Sequence, residues 1–184
     1  MKKIVIAASF LIFSCKGNDK EPVHQVQNSS KIQLTSDNKP NESEEAKKWL
    51  EKSIRNYFES DLKNTDEVMR EITTDHYYEY KNDAMNVDIE VDGSLTKKEF
   101  QDKWHRDFDV QKAGINVGFL ITGQDWDEIK ISKCQLILES DDTFLYDVVL
   151  TDEKLNAEYP VTITVIKNKD SFLIADVWQK EPEI

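Results

Sequence analysis

YPVTITVIKNKDSFLIADVW, Tyr159 to Trp178, decides the fold. Val161, Ile163 and Val165 alternate with Thr162 and Thr164, and Phe172 and Ile174 resume the alternation after Asn168 to Asp170. A period of two places alternate side chains on opposite faces of a strand, and the Asn, Lys and Asp between the two runs suit a tight turn. The stretch therefore predicts two antiparallel strands that share one apolar face.

The same period extends towards the N-terminus. Val117 to Thr122, Ile129 to Leu138 and Thr143 to Leu150 read as further strands, with Asp141-Asp142 and Asp152 to Asn156 as turns. The expectation is an antiparallel meander of about four to five strands, and its apolar face needs a cover.

The cover is written upstream, where the period becomes helical. Between Asn41 and Leu62, the residues Ala46, Trp49, Leu50, Ile54, Tyr57 and Phe58 recur at three- and four-residue spacing. Asn41 with Glu44, or Ser43 alone, is placed to cap that helix. Val68, Met69 and Ile72 mark a second helix beginning at Thr65 or Asp66, and Tyr77, Tyr80 and Ala84 a third, restarted at Thr74 or Asp75. Thr96 to Phe108 predicts a fourth, with Thr96 and Glu99 as a capping box and Phe100, Trp104 and Phe108 as its buried stripe. The fold class is α+β, with N-terminal helices packed on a curved antiparallel sheet.

Before the helices the chain has a different character. Lys16 to Pro40 is rich in Lys, Asn, Asp, Ser and Gln and lacks aromatic residues. It reads as a flexible polar tether, and about 25 such residues have a root-mean-square reach of about 25 to 30 Å. Met1 to Cys15 reads as a signal peptide, with Lys2 and Lys3 followed by the apolar run Ile4 to Phe13. That run is too short to span a bilayer as a mature helix. Ile12, Ser14 and Cys15 suit the pattern of a bacterial lipoprotein, in which Cys15 is acylated and becomes the new N-terminus. The division is thus 1–15 signal, 16–40 tether and 41–184 folded domain, with the protein held to a bacterial, outer by preference, membrane and facing the periplasm or the cell surface.

Charge and cysteine content narrow the function. Removal of Lys2 and Lys3 from the 24 basic residues leaves 22 against 36 acidic ones, a mature net charge of -14. Such a surface repels phosphate backbones, and nucleic acid is not an expected partner. With Cys15 acylated, Cys134 has no partner for a disulfide, and its strand pattern points to burial.

Helices followed by a long antiparallel sheet ending in Phe172 to Trp178 resemble the α+β roll of the nuclear-transport-factor-like, or cystatin-like, superfamily. Gly93-Ser94-Leu95-Thr96 with Glu99-Phe100 and Trp104, then Gly118-Phe119-Leu120-Ile121 and Gly123-Gln124-Asp125-Trp126, resemble a family of small envelope lipoproteins of unknown function. The resemblance implies the fold and the location and assigns no reaction.

Three functional readings compete. Asp88, Glu90, Asp92, Gly93, Ser94, Leu95 and Glu99 fall at positions 1, 3, 5, 6, 7, 8 and 12 of a calcium-binding loop between two helices. The same residues also read as an edge strand, Asn86 to Asp92, followed by a turn at Gly93 and a helix cap. An enzyme pocket in the cone of the roll would draw on His76, Tyr77, Tyr78, His105, Asp125 and Asp176. Asp176 shares strand parity with Phe172, Ile174 and Trp178, so burial inside the cone would raise its pKa and make it a base. The chain has no nucleophile elbow, CxxC pair, HExxH or phosphate-binding glycine loop, so no catalytic residue, cofactor or metal ligand is assigned. The favoured expectation is a lipid-anchored, non-catalytic domain that binds a small ligand or an envelope protein. Its contacts would lie at the cone mouth or on the open face of the sheet, with Trp126 and Tyr146 as candidate aromatics.

Overall fold

The computed structural model describes residues 41–123 and 125–180, so the expected signal, Cys15 and the expected tether lie outside the described residues. The folded part runs helix, helix, helix, helix and then four strands. The helices are α1 (Glu42–Glu59), α2 (Thr65–Ile72), α3 (Asp75–Met85) and α4 (Lys97–Trp104). The strands β1 (Ile129–Ser140), β2 (Thr143–Asp152), β3 (Ala157–Asn168) and β4 (Ser171–Gln179) form one antiparallel sheet in the order β1-β2-β3-β4. Among the described residues no helix is long and apolar enough to cross a membrane.

Register explains why one face of this sheet is core. Phe144, Val165 and Ile174 lie in one row across β2, β3 and β4, and Tyr146, Ile163 and Val177 in the next. All six are buried, each contributing about 1.5–3 kcal/mol of transfer free energy as an upper estimate. α1 lies against all four strands and supplies Ala46, Leu50 and Ile54, the i, i+4, i+8 positions that are fully buried. Tyr146 belongs to this core. It is completely buried and its hydroxyl donates to the Ser43 carbonyl at 2.6 Å, which removes it as an exposed contact.

Each hairpin turn contains a residue in the left-handed region: Asp141 (φ 49°), Asn156 (φ 50°) and Lys169 (φ 56°). Asp and Asn tolerate that region, so two of the three turns match their local chemistry. Thr96 and Glu99 form the expected capping box. Asn41 caps α1 by position only, because its side-chain oxygen accepts the Ser43 hydroxyl at 2.6 Å and not a helix amide.

Three expectations are corrected. Val117 to Thr122 is not a strand, and the sheet has four strands. Phe119, Leu120 and Ile121 are nevertheless buried, so this apolar run enters the core as a loop, with its period of two serving no ladder. Asn86 to Asp92 is likewise a turn and loop between α3 and α4. Finally, α4 ends at Trp104, and Phe108 reaches the expected stripe through a turn whose amide bonds the Trp104 carbonyl at 3.0 Å. Its ring stacks on Tyr80 with centroids 4.1 Å apart.

Candidate functional site

The residues with chemistry to offer gather where α3 and the segment Asp109 to Gly118 cover the edge of β4. α3 buries Tyr77, Tyr80, Lys81 and Ala84, one helical face on which a lysine replaces an apolar side chain. The Lys81 ammonium donates to the carbonyls of Ala113 at 3.0 Å and Gly114 at 3.3 Å. Burial lowers its pKa from 10.5 to about 8, and Asp176 partly offsets this. Asn116 N–H donates to the Ala84 carbonyl at 2.9 Å, and Gln179 Nε2 to the Gly118 carbonyl at 2.7 Å. Together these bonds fix the segment to α3 and β4.

Gly114 is required at the centre of this cluster. Its φ is +61°, and a Cβ there would stand 2.9 Å from Gln179 Oε1 and 3.1 Å from Lys81 Nζ. A left-handed alanine costs about 1–2 kcal/mol before any clash. Gly114→Ala is therefore expected to destabilise the protein by about 2–3 kcal/mol. An unchanged urea midpoint would contradict this placement.

Two buried acceptors or donors here have no hydrogen-bond partner. Gln179 occupies the inward row with Val148 and Val161, and its Oε1 is buried and unpaired. The Tyr77 hydroxyl is also buried and unpaired, although the Val177 amide lies close enough to temper its pKa. Burial first, then Asp176 and Tyr80, push that pKa well up.

Asp176 does not occupy the expected position. β4 bulges at Ala175, because Val165 pairs with Ile174 while Thr164 pairs with Asp176. The extra residue breaks the parity, so Val177 and not Asp176 joins Phe172 and Ile174 in the buried rows. Asp176 is half-buried, and burial raises its pKa. The Val177 amide, Lys112 and Lys81 oppose the shift, while Asp109 adds to it.

The remaining sequence candidates lie apart. His76 sits 3.4 Å from Asp107 and against the rings of Trp104 and Phe108. Tyr78 donates to Asp66 at 2.8 Å and accepts from Arg70 at 3.0 Å. His105 is exposed at the C-terminal cap of α4, with Nδ1 near the carbonyls of Gln101 and Asp102. Asp125 is exposed, and Trp126 is half-buried edge-on to Phe58. Cys134 is half-buried, and burial raises its thiol pKa to about 11.

The Asp88 to Glu99 segment does connect two helices. Its carboxylates are spread, however, and Glu99 accepts from the Thr96 amide at 2.8 Å and the Thr96 hydroxyl at 2.7 Å. Those bonds hold its carboxyl below the usual range. Among the described residues no group of three or more His, Cys, Asp or Glu side chains is gathered for a metal ion.

On the face of the sheet opposite α1, Trp178 is 38% exposed, an outcome of the bulge. The Nζ atoms of Lys112 and Lys180 lie 4.6 Å and 5.8 Å from its ring centroid. A groove of about 720 Å³ runs from there past Pro160 and Val149 to Lys133. Asp147 accepts from both Lys133 (2.6 Å) and Lys180 (2.5 Å), which hold its pKa down. Sequence reasoning missed Lys81, Lys112, Gln179 and the exposure of Trp178. The signal for Lys81 was available, since it lies four residues after Tyr77 and three before Ala84. No protein-family model, curated protein or solved structure matches the chain.

Proposed function

We propose that this is a bacterial envelope lipoprotein, acylated at Cys15, whose α+β domain is a nuclear-transport-factor-like roll on a flexible tether. Its activity is binding, of a small ligand or an envelope protein, and not catalysis. The observation that carries the reading is the groove on the open face of the sheet. The helices cover the other face, whereas here a large aromatic side chain stays exposed beside charged residues. A groove of about 720 Å³ also falls within the size range of small-molecule sites, about 300–1,000 Å³. The order of the chain supports the rest, since an apolar signal ending at Cys15 precedes a polar tether and then the folded domain.

Two measurements test this. Cys15→Ala is expected to move the protein from the membrane fraction to the soluble envelope fraction, and a variant that remains on the membrane would overturn the anchor. Native mass spectrometry of protein extracted from its own membrane is expected to show a stoichiometric non-covalent ligand or partner. Recovery of the protein alone in every preparation would count against binding.

A further inference from the structure

We infer that the Trp178 groove is a site for a small organic anion, a carboxylate with a flat or alkyl body, held by Lys112 and Lys180. This rests on the binding reading above and names its ligand class. The floor of the groove offers apolar surface from Trp178, Pro160 and Val149. Its rim carries three lysines, Lys112, Lys133 and Lys180, against Asp147 and Glu158, with Asp109 paired to Lys112 beside it. These charges balance, three against three, in a chain that has 36 acidic and 24 basic residues. In an acidic protein, a rim whose lysines are not outnumbered, over an apolar floor, favours an anion with an apolar body.

The geometry divides the lysines by role. Lys133 and Lys180 share one carboxylate, Asp147, so together they hold more positive charge than it neutralises. Lys112 pairs with Asp109 at 3.0 Å, yet its side chain stays 46% exposed, leaving donor capacity towards the groove. The Nζ atoms of Lys112 and Lys180 both lie within 6 Å of the Trp178 ring centroid, so a carboxylate bound by either is held beside a flat apolar surface. The groove lies on the open face of the sheet, over side chains of Lys133, Asp147, Pro160 and Trp178 from all four strands, so recognition there comes from side chains. The Asp109 to Gly118 segment, bonded beneath by Lys81, fixes where Lys112 stands.

The test uses the full mature chain in detergent, titrated calorimetrically with benzoate, 1-naphthoate and octanoate, and with the neutral amide of each. At least one carboxylate is expected to bind with a Kd near or below about 1 mM, and its amide about tenfold or more weaker. Raising the salt is expected to weaken the carboxylate, since the lysines are partly exposed. The double variant Lys112→Met with Lys180→Met is expected to lose about tenfold in affinity for that carboxylate. Failure of all three carboxylates, equal binding of the amides, or unchanged affinity in the double variant would each overturn the assignment. The carboxylate and amide comparison needs no variant, so it stands even if the double substitution unfolds the protein. A stoichiometric ligand in native mass spectra, with no carboxylate binding, would remove the anion assignment and leave the binding function in place.

Discussion

Phe119→Ala is expected to destabilise the domain by about 3–5 kcal/mol, the loss associated with a buried phenylalanine in a core. Phe119 belongs to neither helix nor strand, and a surface loop substitution usually costs no more than about 0.5 kcal/mol. Here the loop is core. Phe119 is 1% exposed and sits edge-on to Tyr57, with ring centroids 5.2 Å apart, and within 6.2 Å of Tyr77. Leu120 and Ile121 are buried beside it in sequence, so the cavity left by the ring cannot be filled without moving α1 or α3. Urea unfolding monitored by fluorescence would measure the loss. A shift below about 1 kcal/mol would mean that this loop is not part of the core.

The second large effect is a pH dependence carried by Lys81. Its folded pKa is about 8 against 10.5 for the ordinary side chain, because burial penalises the ammonium. Below pH 8 both folded and unfolded chains hold the proton, and the full desolvation penalty is present. Between about pH 8 and 10.5 the folded chain releases it while the unfolded chain retains it, so stability rises with pH by on the order of 3 kcal/mol. The neutral amine still has two N–H donors for the Ala113 and Gly114 carbonyls, so deprotonation need not break the attachment.

Other groups act in the opposite sense. Burial raises the Cys134 thiol from 9.0 to about 11 and the Tyr57 hydroxyl from 10.0 to about 12. The folded chain keeps those protons after the unfolded chain has lost them, so their contributions fall as the pH passes 9 and 10. The readout is therefore the difference between the native protein and Lys81→Met. The stability advantage of the native chain over the variant is expected to grow across pH 8 to 10.5. A constant difference would show that Lys81 is not buried as a titrating group.

What the sequence made legible follows from how local each signal is. The four strands, their turns and the Thr96 to Glu99 cap are written within windows of a few residues, and they match the structure closely. The bulge at Ala175 is not local. It arises from how β4 meets β3, and it alone separates the expected inward Asp176 from the observed arrangement with Val177 inside and Trp178 outside. Val117 to Thr122 misled for a related reason, since apolar alternation records burial and not hydrogen bonding. Gly118 and Gly123 break the run, and a Cβ on Gly118 would approach the Ile121 carbonyl at 3.3 Å, a closeness suited to a bend.

The candidate site was legible by residue type more than by arrangement. His76, Tyr77, Tyr78, His105, Asp125 and Asp176 were named together as possible members of a pocket, and the structure brings no histidine to Asp176. Lys81 was not singled out, although its spacing from Tyr77 and Ala84 places it on the buried face. Lys112 and Lys180 lie 68 residues apart in sequence by their numbering and meet only through Trp178, a relation that no local pattern records.

A chemical-shift map of the mature protein, titrated with the tightest-binding carboxylate of the three, tests the central claim most directly. The predicted result is a saturable shift of the Trp178 indole N–H and of the amides of Lys112, Gln179 and Lys180, with Tyr77 and Ile174 unmoved. Shifts centred on Tyr77 and Ile174, with the Trp178 indole unaffected, would place the site on the helix-covered side of the sheet and contradict the account.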